Sequence, residues 1–262
     1  MYFEIEFFPF RRHLMYYCCG ITDVGTVRDH NEDAFLINKI VMDQAMLESE
    51  LHTPFITAVA DGVGGEVGGE VASRLALNLL CSLKPAENTD YEKKILDIHY
   101  ALRKNGAENN NINMQTTLCA LAVDKNGSAC IINVGDSKLF RCRGGSIRQL
   151  SRDQSLVQML YEQGEITADE KRTHKHRNVI FPVLGNIVED PTVEVTPIEG
   201  GIQPGDLILI CSDGLSDYIT KGDFEETLAL PIKLPKRLKA LVELAKNGGS
   251  TDNITVIGIS AM

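Results

Sequence analysis

Five short acidic segments lie far apart in this chain, and each places an Asp at or near the edge of an apolar run. They are RDHNED with Asp33, VADGVGG with Asp61, VGDSKLF with Asp136, CSDGLSD with Asp213 and STDNITV with Asp252. A carboxylate at the end of a buried strand is unfavourable unless something pairs it. Several converging carboxylates, with no matching array of Lys and Arg, repel one another. A divalent cation neutralises them most simply, and oxygen-only ligands select a hard one, Mg²⁺ or Mn²⁺. The chain is therefore constrained to bring strand ends from its whole length to one carboxylate-built metal site.

The remaining material suits such a fold. A chain of 262 residues is one large domain or two small ones. Its 44% hydrophobic content supplies a sizeable core. The net charge of −10 argues against a nucleic-acid surface or an anionic membrane partner. The seven Cys show no CxxC spacing, so they read as free thiols in a reducing, cytoplasmic setting.

The first twenty residues, MYFEIEFFPFRRHLMYYCCG, are interrupted by Glu4, Glu6, Arg11, Arg12 and His13. They are too charged for a membrane span. They also lack the basic start and small-residue cleavage site of a secretory signal. Phe3, Ile5 and Phe7 alternate with Glu4 and Glu6, which suggests an edge strand. A docking segment for a partner is the alternative. Residues 1–16 are accordingly set apart from a domain spanning 17–262.

Hydrophobic periodicity predicts strands at 17–22, 34–40, 55–60, 117–123, 129–134, 138–142, 146–150, 192–197, 206–211 and 254–260. Helices are expected at 68–82, 91–108, 154–162, 166–172, 222–229 and 235–246. Leu75, Leu79 and Leu80 share one side of the first helix, and Ile95, Ile98 and Leu102 one side of the second. Strand hairpins with inserted helix pairs are not a βαβ alternation, so an antiparallel α+β layered fold is favoured.

Each motif has a bland reading as well. Arg28 fits a fork for a phosphate dianion, or simply neutralises Glu32 or Asp33. Gly62, Gly64 and Gly65 permit a carbonyl to approach a metal, or form a strand-to-helix turn. No Lys-Ser/Thr follows these glycines, which excludes a nucleotide P-loop. Asp136 and Asp252 read singly as turn residues. Five such segments, each beside a core strand, make coincidence improbable.

The ordered series DVGTVRDHNED, VADGVGG, QTTLCAL, NVGDSKLFRCR, LSRDQS, VLG, CSDGLSD and GGSTDNITV resembles the motif set of the metal-dependent type 2C Ser/Thr protein phosphatases. The resemblance covers about residues 17–262 and looks like the compact bacterial members that oppose Ser/Thr kinases. It implies a four-layer α-β-β-α sandwich, two central antiparallel sheets flanked by helices, with metals at one edge. It implies that Asp61 is a bridging metal ligand, that Gly62 binds through its carbonyl, and that Asp213 and Asp252 hold the second metal. Asp33 matches an acidic ligand acting through water, with Glu32 and Asn253 in support. Asp136, with Asp213, matches a third-metal site, expected to be more exposed than the core pair. Arg28 matches the phosphate-binding Arg, and residues 163–184 a mobile substrate flap. The implied cofactors are two Mn²⁺ or Mg²⁺ ions with a third. The implied partners are phosphoprotein substrates and a cognate kinase, with no nucleic acid, no membrane insertion and a monomeric state.

Two departures stand out. Val63 occupies the position where many eukaryotic members carry a His proposed as general acid, and bacterial members often lack it too. In the flap, Lys175 and Phe181-Pro182 replace the usual Pro and Thr-Arg, so substrate preference is open. His174 and His176 read as solvated flap residues rather than a metal pair. No Cys lies in a C-x5-R loop and no Asp-x-Asp lies near the start, so neither thiol nor aspartyl-phosphate catalysis is supported. The implied chemistry is attack by a metal-activated water, with Arg28 and the ions balancing phosphoryl charge. A catalytically dead phosphopeptide-binding module would lack a metal Asp, and every one is present. A structural Ca²⁺ protein is the remaining reading.

Overall fold

The computed structural model describes residues 15–63, 68–111 and 114–262, so the expected edge strand at residues 3–7 and the glycines Gly64 and Gly65 lie outside the described residues. In chain order the strands are β1 (Tyr16–Asp23), β2 (Ala34–Ile37), β3 (Ile40–Met42), β4 (Ala45–Leu51), β5 (Phe55–Ala60), β6 (Gly62–Val63), β7 (Gln115–Thr116), β8 (Leu118–Val123), β9 (Ala129–Val134), β10 (Lys138–Arg143), β11 (Ser146–Gln149), β12 (Glu194–Pro197), β13 (Leu207–Cys211) and β14 (Ile254–Ala261). The helices are α1 (Gly69–Leu80), α2 (Tyr91–Glu108), α3 (Leu156–Glu162), α4 (Ala168–Thr173), α5 (Asp213–Ser216), α6 (Lys221–Ala229) and α7 (Leu234–Asn247).

Two six-stranded antiparallel sheets form the centre, in the orders β11-β10-β13-β14-β1-β4 and β12-β9-β8-β5-β2-β3. The central strands are apolar on both faces because each sheet is covered twice. In β14, Ile257 and Ile259 meet Phe35, Val59 and Leu121 of the facing sheet. The alternate residues Ile254 and Val256 pack outward under Leu238, Leu241 and Val242 of α7. On the other side, Leu36, Ala58 and Ala120 lie under Ala76, Leu77, Ile95 and Leu102 of α1 and α2. The order of layers is thus helix, sheet, sheet, helix, as the resemblance implies. Alternation at a period of two sends successive residues to opposite cores.

Several elements differ from the sequence expectation. The run 34–40 is a hairpin rather than one strand, because Asn38 adopts φ 56° and turns the chain into β3. Asn tolerates this left-handed region better than most residues. β4 was not expected. Its sequence AMLESEL carries two acids, and it is specified by pairing with β1 at the sheet edge rather than by its own pattern. β6 and β7 pair for only two residues, too short for periodicity to reveal. Leu79 is 36% exposed, whereas Ala72, Ala76, Leu77 and Leu80 form the buried stripe of α1. All seven Cys are free.

Candidate active site

The register of the sheets explains why the acids meet. Ala34 pairs with Ala60, so Asp33 and Asp61 stand side by side at the same end of neighbouring strands. In the other sheet Cys211 pairs with Val256, and the Ser212 amide continues the ladder to the Thr255 carbonyl at 3.1 Å. Asp213 and Asp252 lie just past that rung. The Leu118–Val134 pair places Asp136 beyond the end of β9. The two sheets are joined at this end by Ser212, whose hydroxyl donates to Asp33 Oδ2 at 2.8 Å.

Glycine permits the approach at two points. A Cβ on Gly62 would come within 2.4 Å of the Gly69 backbone, and one on Gly214 within 2.0 Å of the Asn253 carbonyl oxygen. Gly62 therefore lets the start of α1 close on Asp61. Gly214 lets α5 press against the 252–253 segment, which sets Asp213 beside Asp252. Any side chain at either position forces the backbones apart.

Buried charge dominates the electrostatics. Desolvation and then the neighbouring Asp213 and Asp252 raise the Asp33 carboxyl to about 7, although hydrogen bonds from Thr255 and Ser212 oppose the shift. Burial, followed by Asp33, Asp213, Asp136 and Asp252, pushes Asp61 well above its ordinary range. Asp136 rises to about 8, through burial and then Asp213, with Lys138 opposing. Asp213 rises to about 6, through burial and then Asp217 and Asp252. Asp61 feels all four of its acidic neighbours, Asp213 raises both Asp33 and Asp136, and Asp213 is itself raised by Asp217 and Asp252. Such mutual destabilisation of the charged forms marks a functional site rather than a structural salt-bridge network.

The donor set fits a hard dication. Asp213 Oδ1 and Glu32 Oε1 are buried with no hydrogen-bond partner, although His30 Nε2 stands 3.5 Å from the latter, and every acidic group in the cluster offers oxygen. Among the described residues, no three His, Cys, Asp or Glu side chains close around a single point as a finished cage. The arrangement is a set of converging carboxylates. Its fit rests on their repulsion and on these free oxygens.

The remaining expected residues are placed as follows. The Arg28 guanidinium donates to Asp252 Oδ2 at 2.8 Å, with 42% of its side chain exposed. The direct partner of Arg28 is thus Asp252, while Glu32 acts on it through charge alone. Glu32 is 6% exposed, and its carbonyl accepts from Gly62 N and Ser73 Oγ. Asn253 accepts from Glu32 N and donates to the carbonyls of Val24 and His30, clamping the loop that carries Arg28. Asp136 is only 9% exposed, so the expectation of a more exposed outer position is overturned. The turn that holds it is packed between β9 and β10, with Ser137 and Lys138 also buried.

Sequence reading missed the supporting shell. Thr117 Oγ1 accepts from Asp61 N at 3.0 Å and shares a hydrogen bond with Ser137 Oγ. Lys138, 8% exposed, donates to Ser216 Oγ and Asp217 Oδ1. Its charge supplies some of the positive potential that the sequence appeared to lack. A Lys two residues after Asp136, opening a buried strand, was the available signal. His176 is exposed on the flap, and its amide donates to His174 Nδ1.

The family model described as Protein phosphatase 2C matches residues 31–237. Serine/threonine phosphatase stp of Listeria monocytogenes is 31% identical over 245 residues, covering 90% of this chain and 92% of that protein. The Ser-Thr phosphatase MsPP of Mycobacterium smegmatis, solved with cacodylate, superposes with a TM-score of 0.76 at 31% identity, over 93% of this chain and 97% of that one. The catalytic domain of the phosphatase PstP, solved with two manganese ions, gives a TM-score of 0.76 at 27% identity, over 95% and 99% of the two chains. With its acids gathered at one end of a two-sheet sandwich and a family match over most of its length, the chain belongs to the protein phosphatase 2C family.

Proposed function

We infer that this chain is a protein-serine/threonine phosphatase, hydrolysing phosphoserine and phosphothreonine on proteins with the help of divalent metal. One observation carries the reading: Asp33, Asp61, Asp136 and Asp213 are buried together at the meeting edge of the two sheets, and each is raised by burial and by neighbouring carboxylates. The solved relative with two manganese ions supports a metal here. Asp61, the Gly62 carbonyl, Asp213 and Asp252 are the proposed ligands of two Mn²⁺ or Mg²⁺ ions, with Asp33 in support and Asp136 toward a third. Bound ions of this kind lower the pKa of water and offset charge on a phosphoryl group.

The chain's own groups do the rest. Arg28, held by Asp252 at the exposed rim, keeps further N–H groups that would bind a phosphate dianion. Ser212, itself held by the Thr255 amide, keeps Asp33 oriented, and Thr117 fixes the Asp61 backbone. Glu32 and Asn253 hold the Arg28 loop to this edge. The catalytic unit begins with β1 rather than at the expected residue 17, because Tyr16 is buried in the core and paired with Ala261 and Leu51. It acts as a cytoplasmic monomer opposing a Ser/Thr kinase. No helix among the described residues is long and apolar enough to cross a membrane.

The test is phosphate release from a phosphothreonine peptide. Mn²⁺ supports turnover, EDTA abolishes it, and Ca²⁺ does not replace Mn²⁺. Asp213→Asn lowers kcat by about a hundredfold or more while the fold survives, as loss of a central electrostatic contributor does. Full turnover in a thoroughly chelated sample overturns the metal reading. Phosphopeptide binding without turnover, in wild type with Mn²⁺, would favour the binding-module alternative.

A further inference from the structure

The LSRDQS segment supplies none of the proposed metal or phosphate ligands, yet Asp153 within it is 3% exposed. It lies beneath the flap. That segment is joined to the body at its base, where Leu156 N donates to the Val179 carbonyl and Phe181 N to the Gln154 carbonyl, both at 2.9 Å. Beyond this base stands α4, which buries no residue at all. Its capping box, Thr167 with Glu170, satisfies only its own first turn. A six-residue helix has little stability of its own, and helices are normally held by apolar burial. α4 lacks both supports.

A chain of charges ties it down instead. Lys171 of α4 donates from Nζ to Asp153 Oδ2 at 2.9 Å and also to Gln158 Oε1. The same Asp153 oxygen stands 3.9 Å from Lys138 Nζ. Lys138 then donates to Asp217 Oδ1 at 2.9 Å and Ser216 Oγ at 2.8 Å. Ser216 ends α5, the helical turn that begins with Asp213. The charges therefore run without a break from the flap helix to the helix that carries a metal-site acid. They border a cavity of ≈ 310 Å³ that reaches Asp136 and is floored by Phe140, Ile147 and Phe224.

We propose that Lys171 and Asp153 are positioning residues that hold the flap helix over the cavity beside Asp136, and so set how firmly a protein substrate is held. The proposal rests on the phosphatase reading for its kinetic consequence only. A polypeptide flanking the phosphoester meets the flap, whereas p-nitrophenyl phosphate has nothing to present to it. Lys171 is also separable from the fold. Its side chain is 24% exposed, and without it Asp153 still faces the Lys138 ammonium. Losing Lys171 thus frees the flap without leaving a buried charge alone.

The experiment compares Lys171→Met, Lys171→Arg and Asp153→Asn in the full chain. Hydrogen exchange of amides 168–173 should accelerate about tenfold in Lys171→Met, because the local opening becomes easier. The KM for a phosphothreonine peptide should rise about three- to tenfold with kcat nearly unchanged, a loss of binding rather than of chemistry. Turnover of p-nitrophenyl phosphate should stay within about twofold of wild type, since the metal site is untouched. Lys171→Arg should restore both readouts, and Asp153→Asn should move them in the same direction as Lys171→Met. Unchanged exchange in both Lys171→Met and Asp153→Asn overturns the tether. Equal losses on both substrates with no rescue by Arg overturn the positioning role. Exchange is read without turnover, so failure of the phosphatase reading shows separately, as an inactive wild type.

Discussion

Ser212 and Asp33 are 179 residues apart, yet the Ser212 hydroxyl donates to Asp33 Oδ2 at 2.8 Å between fully buried partners. Ser212 Oγ in turn accepts from the Thr255 amide at 3.0 Å. One hydroxyl thus joins the two sheets at the end where the acids collect. Ser212→Ala leaves the Thr255 amide unsatisfied and removes a bond that favours ionised Asp33. Loss of such an outer partner typically weakens metal affinity about 10–100-fold. Stability should fall by about 1–3 kcal/mol, the usual penalty for stranding a buried polar group. Calorimetric Mn²⁺ titration and a urea midpoint read both effects. Wild-type values in both would reduce Ser212 to a passive spacer.

Arg28 is held to Asp252 by an exposed pair, and such pairs contribute only about 0–1 kcal/mol. The guanidinium can therefore exchange part of this contact for a phosphate oxygen at little expense. Arg28→Ala should raise KM on a phosphopeptide about tenfold with a smaller drop in kcat, as expected for a lost substrate contact. Arg28→Lys should recover only part of it, lacking the planar fork. Unchanged KM in both variants would leave Arg28 as a partner of Asp252 alone.

Asp136 is buried and its carboxyl is pushed up to about 8, by desolvation first and Asp213 second. Removing it relieves repulsion in the metal-free protein. Asp136→Ala without metal at pH 8 should melt about 2–4 °C higher than wild type, the shift expected for roughly 1 kcal/mol in a chain of this size. It should also need more Mn²⁺ for half-maximal rate. A lower melting temperature together with an unchanged Mn²⁺ requirement would mean that Asp136 is only a hairpin residue.

The acid cluster also sets a pH dependence. Asp213, Asp33 and Asp136 titrate near 6, 7 and 8 in the folded chain. In the unfolded chain they revert to about 3.9. The folded protein binds more protons across that interval, so its metal-free stability falls as pH rises from about 4 to about 8. Metal must displace those protons. Thermal melts at pH 5.5 and pH 8 should show the metal-free protein more stable at the lower pH, and Mn²⁺ raising the melting temperature more at the higher. The opposite order at both pH values would contradict the cluster's shifted acids.

Much of the architecture was legible in the chain itself. The apolar runs at 55–60, 129–134 and 254–260 mark central strands because β-strands covered on both faces need no polar side. The helix over Tyr91–Glu108 follows from its own repeat of Ile95, Ile98 and Leu102. The acids Asp33, Asp61, Asp213 and Asp252 declared themselves by sitting at strand ends, where an unpaired carboxylate is too unfavourable to be incidental. β4 was hidden because its edge position lets charged residues face solvent, and its order comes from β1. Local sequence thus determined which segments are core strands and which acids stand at their ends. Register and packing decided the rest: that Asp33 faces Ser212, that Arg28 reaches Asp252 and that Asp136 is buried. They also placed Lys138 and Lys171 on either side of Asp153. These contacts join residues far apart in the chain, and pairwise electrostatics falls off with distance in space rather than along the sequence. No local pattern can therefore specify them before the two sheets close on each other.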